Sequence, residues 1–471
     1  MFFLSSARND STIRHIVNLL PGVHVMIYLY NLALWLLFPY IFFRLVWRAR
    51  SQPEYLRHIG ERFGFYSLNS NKPIIWLHAV SVGETRAAHS LVIRLNKSYP
   101  DHQILLTHTT PTGRSASEQL YGNSVLRVYL PYDYPFAVKR FLMRFQPKLG
   151  ILMETEIWFN LIHACHQSGT PVLLLNARMS EKSSRGYARF SRLTLNAFNE
   201  LSAVAAQSSG DAERLTKLGA KNVSVTGNLK FDIDPPLQML ELGKQLRLQL
   251  GTMRSILLAA STRDGEEELL LDALQDINIP GLLLVIVPRH PQRFNVVAEM
   301  LKQRSVPFVL RSKLNLAESP KTSSSTGSQH GVGPDIKVVV GDSMGEMFAY
   351  YTAADLAFIG GSLLPFGGQN LIESCAVGTP VLLGPHMYNF EEATRLAISA
   401  GAAIQVSGVA DFAGQVHNFF NNQEVQNSMH KHCIDFVMAN RGATEKSLKL
   451  AMQYLNVPTH PDSGLPARSS R

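Results

Sequence analysis

Hydrophobic and polar positions follow distinct patterns along the chain, and the changes between them set the expected elements. Residues 23–46, VHVMIYLYNLALWLLFPYIFFRLV, are apolar almost throughout. A bilayer core takes about 20 residues of helix, so this run predicts a helix that spans a membrane or inserts deeply into it. His24, Asn31 and Pro39 interrupt the run, and a helix lying in the interface is the competing reading. Tyr28, Tyr30, Trp35, Tyr40 and Trp47 include candidate interfacial anchors. Arg44, Arg48, Arg50 and Arg57 follow closely, against Arg8 and Arg14 before it. The denser positive flank predicts that the bulk of the chain lies on the cytoplasmic side.

From Pro73 onward, short apolar runs alternate with amphipathic ones. Those at 74–78, 104–107, 125–130, 149–153, 172–175, 203–206 and 223–226 read as strands, with helical patterns at 85–97, 116–121, 135–145 and 211–217 between them. Residues 228–236, NLKFDIDPP, break the rhythm, and their proline pair predicts a hinge. A helix over 237–250 opens a second series, with strands at 255–260, 282–287, 337–340, 356–359, 381–383 and 403–405. This alternation is that of parallel, doubly wound sheets. The expected organisation is a polar lead over 1–22, an anchor helix over 23–47, a Rossmann-like domain over 48–230, a linker over 231–245, a second Rossmann-like domain with closing helices over 246–457, and a disordered tail over 458–471. Residues 312–335, rich in Ser, Gly and Lys, read as a mobile surface loop.

Composition narrows the partners. The 471 residues allow two domains with large cores, and 46% hydrophobic content marks an ordered globular chain. A formal net charge of +9 suits anionic partners. No dense Lys/Arg block with interleaved aromatics occurs, which favours acidic lipid or a phosphorylated substrate over nucleic acid. Cys165, Cys375 and Cys433 are odd in number and far apart, so no disulfide framework is expected and a reducing compartment fits. His430-Lys431-His432-Cys433 lacks a second ligand pair and reads as helical surface rather than a metal site.

In open α/β sheets, ligands bind beyond the carboxyl ends of the strands. Residues 74–84, IIWLHAVSVGE, place Glu84 at such an end, either for chemistry or as a first-turn acid favoured by the helix dipole. Glu154 follows the 149–153 strand, as a reacting group or as a polar residue orienting a turn. Lys230 lies at the hinge, either bridging charge there or simply exposed. In the second series Arg289-His290 follow a strand, and Arg289 suits a phosphate or carboxylate. Gly360-Gly361-Ser362 and Gly367-Gly368-Gln369-Asn370 allow close backbone approach to phosphate, or merely mark turns. Residues 370–375, NLIESC, open a helix whose N–H groups favour an anion, and Glu373 inside it suits ribose hydroxyls. Polar groups on the rims of both sheets predict a functional cleft between the domains. No GxGxxG follows the first strand and no Walker A sequence occurs, which argues against a dinucleotide dehydrogenase and a P-loop NTPase.

Taken in order, eight motifs resemble those of one family: GERFG (60–64), WLHAVSVGE (76–84), METEIW (153–158), NARMSEKS (176–183), GNLKFD (227–232), VPRHPQRF (287–294), GDSMGE (341–346) and GGSLLPFGGQNLIES (360–374). The chain resembles the 3-deoxy-D-manno-oct-2-ulosonic acid (Kdo) transferases of lipopolysaccharide biosynthesis, glycosyltransferases of the GT-B fold, from the anchor to about residue 450. The resemblance implies an α/β GT-B architecture of two Rossmann-like domains with an N-terminal membrane anchor. It implies CMP-Kdo as donor and, as acceptor, the anionic tetraacyldisaccharide bisphosphate lipid A precursor (lipid IVA) at the bacterial inner membrane. No metal or other cofactor is implied. By carry-over, Glu84 is the proton acceptor, and Glu154 and Lys230 stabilise the transition state. Arg289, His290, Met344, Gly345, Glu346, Asn370, Leu371, Ile372 and Glu373 hold CMP. The family often has His at the position of Gln369 and Pro at that of Ser374; Gln369 donates a hydrogen bond but does not titrate. One base and no evident nucleophile fit a single displacement with inversion. The competing readings are a GT-B transferase moving a UDP-sugar to a lipid, and a sugar-nucleotide epimerase of similar architecture. The latter needs no lipid acceptor, and the apolar run at 23–46 speaks against it.

Overall fold

Strand β1 (Ile74–His78) is buried at every position, and its alternate side chains enter two different cores. Ile74 and Trp76 face one, Ile75 and Leu77 the other. A parallel sheet covered on both faces demands such an unbroken apolar run. The computed structural model describes residues 22–275, 277–314 and 331–456. The expected polar lead up to residue 21, the interior of the expected loop at 315–330 and the tail from 458 lie outside the described residues.

The described chain forms two units. One runs to Asp232 and resumes at Gly442; the other is Ile233–Arg441. The first unit adds β2 (Gln103–His108), β3 (Leu126–Tyr129), β4 (Leu149–Met153), β5 (Val172–Ala177), β6 (Ala203–Ala206) and β7 (Val223–Val225), in the sheet order β3-β2-β1-β4-β5-β6-β7. β1 pairs in parallel with both β2 and β4, so the switch point of the winding lies between β1 and β4. Trp76 is fully buried, and its indole N–H donates to Thr107 Oγ1 at 2.8 Å. Its ring lies across Gly150 on β4, where a Cβ would come within 2.8 Å of the ring. The second unit contains β8 (Ile256–Thr262), β9 (Leu283–Pro288), β10 (Phe308–Leu310), β11 (Val338–Val340), β12 (Leu356–Ile359), β13 (Val381–Leu383) and β14 (Ala403–Gln405), in the order β10-β11-β9-β8-β12-β13-β14. Here the switch lies between β8 and β12. Two parallel, doubly wound seven-stranded sheets are the GT-B expectation.

Several local expectations change. β10 is a three-residue edge strand that the sequence pattern does not announce. The expected helix over 85–97 is two helices, Val82–Ala87 and His89–Ser98, separated at Ala88. The helix expected over 237–250 forms as Leu237–Leu250, so it takes up most of the expected linker; it packs so closely in the second unit that a Cβ on Gly243 would lie 2.5 Å from Thr352. The final helix, Ala443–Leu455, is grouped by sequence order with the second domain. It instead buries Ala443, Leu448 and Ala451 in the first unit's core. The long apolar run forms one helix, Gly22–Ser51.

Candidate active site

The loop after β1 builds the first part of the site. Ser81, in extended conformation, caps the helix Val82–Ala87: its Oγ accepts the Glu84 N–H at 3.3 Å. The Glu84 carboxylate folds back over the same turn. Oε2 accepts the Val80 N–H at 2.8 Å and Oε1 accepts the Ser81 hydroxyl at 2.8 Å. This is nearly a capping box, so the helix-start role of Glu84 is real. It does not exhaust the carboxylate, which has about four acceptor positions. The residue is only 8% exposed. Burial, reinforced by the nearby Glu154 charge, holds its pKa above the ordinary carboxylate range against the opposing pull of Val80, Ser81 and Lys230. A carboxylate so placed is a better proton acceptor near neutrality.

Glu154 stands across the switch point, directly after β4. Its N–H donates to Leu175 O at 3.0 Å, and its φ is +59°, a left-handed conformation unusual for a residue with a side chain. That conformation costs about 1 kcal/mol or more and persists where the surroundings enforce it, often at functional sites. Its partner is Lys230, whose Nζ lies 3.3 Å from Glu154 Oε1. Lys230 is not a loose hinge residue. It occupies the 3-10 turn Leu229–Phe231, between two side chains that are each 2% exposed. Asn228 Oδ1 accepts its N–H at 3.0 Å, and Asn176 Oδ1 accepts the Leu229 N–H at 3.0 Å. Both ends of the pair retain about a quarter of their exposure, so its value lies in placing charge beside Glu84 rather than in stability.

Sequence reasoning missed a third carboxylate. Glu156 sits in the same group, accepts the Trp158 indole N–H at 2.9 Å, and is pushed up to about 7, first by burial and then by the charges of Glu84 and Glu154. Beside it, His78 ends β1, fully buried, with Nδ1 on Thr107. Burial lowers its pKa to about 3. Nε2 of His78 lies 4.0 Å from Glu156 Oε2, within range of an ion pair. The neutral imidazole rules that pair out near pH 7, and we take the two as an uncharged histidine beside a proton-holding acid. The signal was present in METEIW, where both acids flank Thr155, and in the histidine of WLHAVSVGE.

In the second unit Glu266 decides what the glycine loop can do. It is fully buried at the start of the helix Glu266–Leu274. Its Oε2 accepts the N–H groups of Gly361 at 2.6 Å and Arg263 at 2.9 Å; its Oε1 accepts those of Leu363 at 3.0 Å and Leu364 at 3.4 Å. The Gly361 amide, with those of Leu363 and Leu364 just beyond the turn, is therefore taken up by the protein's own carboxylate. Gly367 and Gly368, at φ +93° and +74°, are required by packing: a Cβ there would fall 2.3 Å from Asn389 and 2.2 Å from Met387.

The residues assigned to CMP fall into groups on this unit. Arg289 and exposed His290 follow β9 with Arg263 and Arg293 nearby. Desolvation, then those arginines, keep His290 below its usual range. Glu346 accepts Arg311 at 3.1 Å and the Ser343 hydroxyl at 2.5 Å; Met344 is exposed before it, and Gly345 turns at φ +84°. Asn370 Nδ2 donates to Glu373 Oε1 at 3.1 Å, and Asn370 Oδ1 accepts the Ile372 N–H at 3.1 Å. Leu371 and Ile372 are fully buried, so only their backbone is offered to a ligand. The helix that follows, Ile372–Ala376, is a single short turn or little more. Ser374, where the family often has Pro, is buried and donates to Thr379 O at 2.9 Å. Among the described residues no group of three or more His, Cys, Asp or Glu side chains is arranged to hold a metal ion.

The family model described as "3-Deoxy-D-manno-octulosonic-acid transferase (kdotransferase)" matches residues 57–233. The chain is 37% identical to the 3-deoxy-D-manno-octulosonic acid transferase of Haemophilus influenzae, over 86% of this chain and 92% of that one. It is also 37% identical to the enzyme of that name from Bordetella pertussis, over 90% of this chain and 99% of that one. A glycosyltransferase structure from Rickettsia africae superposes with a TM-score of 0.53 at 14% identity, covering 82% of this chain and 100% of that one; at that identity it supports the fold alone. The acid–lysine group at the first switch point thus sits in a chain that belongs to the Kdo transferase family and is a Kdo glycosyltransferase.

Proposed function

We propose that the enzyme transfers Kdo from CMP-Kdo to lipid IVA, the tetraacyldisaccharide bisphosphate lipid A precursor, with inversion. Glu84 takes the proton of the acceptor sugar hydroxyl as that oxygen bonds to the anomeric carbon of Kdo. The bond from that carbon to the phosphate oxygen breaks, and CMP leaves with the electron pair. Lys230, held against Glu154, supplies positive charge beside the reacting groups, and Glu154 fixes its position. Arg289 and His290 take the CMP phosphate, Glu373 the ribose hydroxyls, and the Met344–Glu346 and Asn370–Ile372 backbones complete the nucleotide site. The helix Gly22–Ser51 attaches the enzyme to the inner membrane with both units on the cytoplasmic side, which Arg44, Arg48, Arg50, Arg57 and the net charge of +9 support.

The observation that carries this reading is Glu84: a shielded carboxylate with raised proton affinity at the switch point, beside one lysine. Purified enzyme with CMP-Kdo and lipid IVA is expected to give a lipid heavier by Kdo residues in mass spectrometry, and none with UDP-sugars. Transfer from a UDP-sugar alone would replace the donor. Interconversion of a sugar nucleotide without any lipid product would replace the reaction class with an epimerase.

A further inference from the structure

The helix Gly22–Ser51 is covered along one side by the first unit. Ile27, Asn31, Leu34, Phe38, Ile41, Leu45 and Ala49 follow a three- or four-residue spacing and recede from solvent. The covering contacts are specific and partly polar. Tyr30 donates to Asp133 Oδ2 at 2.9 Å, Asn160 Nδ2 donates to Asn31 Oδ1 at 2.7 Å, and the Tyr134 hydroxyl donates to Leu34 O at 2.8 Å. Farther along, Phe38 meets Phe63, with ring centroids 6.0 Å apart. From Ile27 to Ala49 the covered stripe is about 33 Å long at 1.5 Å per residue, as long as a bilayer core of about 30 Å is thick.

A helix crossing the bilayer with these contacts intact would carry its cover into hydrocarbon. That cover includes Asp133, which also accepts the Asn160 and Leu161 N–H groups at 3.0 and 2.9 Å. It includes the helices Phe159–Gln167 and Ser191–Glu200, joined by a His163–Glu200 pair at 2.8 Å whose histidine is half-exposed. Ionisable and strongly polar groups are disfavoured at that depth. The opposite side is built for lipid: Leu29, Leu36, Phe43 and Trp47 are each more than half exposed, and Arg44, Arg48 and Arg50 project from the same end of the helix. An apolar stripe flanked by arginines matches the acyl–headgroup boundary of an anionic membrane.

We infer that this helix lies in the plane of the membrane, strapped along the first unit with its outward face in the lipid interface, and does not cross the bilayer. The inference rests on the membrane attachment proposed above and specifies its geometry. It sets the first unit flat against the surface from which a lipid acceptor is drawn.

Depth measurements test it. Cys165, Cys375 and Cys433 are buried, so single cysteines at exposed positions can be labelled selectively in the full chain. Nitroxides on Leu29→Cys, Leu36→Cys and Phe43→Cys are spread over about 21 Å of helix axis. On phosphatidylethanolamine/phosphatidylglycerol vesicles, the three labels are expected at one shared shallow depth. Depths that change steadily along the series, by most of that 21 Å, overturn the inference in favour of a crossing helix. Labels shielded from both lipid- and water-borne relaxation agents and coupled between molecules assign the face to a second copy and also overturn it. Protein that does not bind the vesicles at all refutes the membrane attachment itself, a result distinct from either.

Discussion

Glu84 and Glu266 occupy equivalent places in the two units. Each follows the first strand of its sheet, at the switch point, in the first turn of a helix. Glu84 accepts one backbone N–H and one hydroxyl and keeps a small exposed surface. Glu266 has no exposed surface and accepts four backbone N–H groups. Topology brought a carboxylate to both rims; the number of donors around it separates their tasks. A carboxylate met by four amides shapes a loop and is closed to substrate. Those amides are equally closed to phosphate. In the proposed reaction the arginines around His290 meet the leaving group.

The sharpest way to break this comparison is to neutralise the first acid. Glu84→Gln keeps an acceptor for the Val80 N–H, and its amide N–H can donate to the Ser81 hydroxyl oxygen in place of the bond that the carboxylate accepted, so the thermal midpoint should move little. Transfer should fall about 1,000-fold, within the usual range for loss of a general base. Near-normal transfer by a folded Glu84→Gln enzyme would make Glu84 a capping residue like any other.

The complementary change is Glu266→Ala. It leaves the Gly361 and Leu363 amides without their partner, and buried orphan donors cost about 1–3 kcal/mol each. Calorimetry should record a loss of about 3 kcal/mol from the second unit, with donor binding weakened as the loop relaxes. An unchanged melting profile would show that the loop holds without it. Lys230→Met sharpens the first-unit side: it leaves Glu84 and Glu154 without their lysine. Transfer should drop about 100-fold, as for the loss of one charge-stabilising group, with donor affinity unchanged. A rate loss below tenfold would reduce Lys230 to a structural partner of Glu154.

Much of the fold was written in apolar periodicity. β1 and β4 declare themselves as unbroken buried runs, and the strand-end rule then selects Glu84 and Glu154. What stayed hidden is tertiary. Ala443–Leu455 repeats an ordinary amphipathic pattern, and nothing local says that it returns to the first unit. β10 is too short for a period to register. Glu266 begins a run of three acids that reads as a solvated helix start, and only the fold reveals that the first of them is sealed in. The restraint on Lys230 was equally invisible: its turn is held by Asn176, more than fifty residues earlier in the chain. Donor-site expectations such as Leu371 and Ile372 mark backbone positions, because their side chains belong to the core.

Glu156 offers the smallest and most discriminating test. It differs from both acids: its side chain keeps more exposure than either, and no set of amides holds its charge. The neighbouring imidazole of His78 is neutral and gives it no cation. Its pKa is raised from 4.5 to about 7 in the folded enzyme, so between those values the native state binds a proton that the unfolded chain releases. Stability therefore falls as pH rises through this window, and the full penalty is present above about 7. Glu156→Gln removes the titration while keeping the contact with Trp158. The variant should match the wild type in thermal midpoint near pH 4.5 and exceed it above pH 7. Glu84→Gln should move the same inflection downward, because the Glu84 charge contributes to the shift. Parallel stability curves for wild type and Glu156→Gln would mean that Glu156 is already charged across this range, and that the cluster around Lys230 holds three anions rather than two.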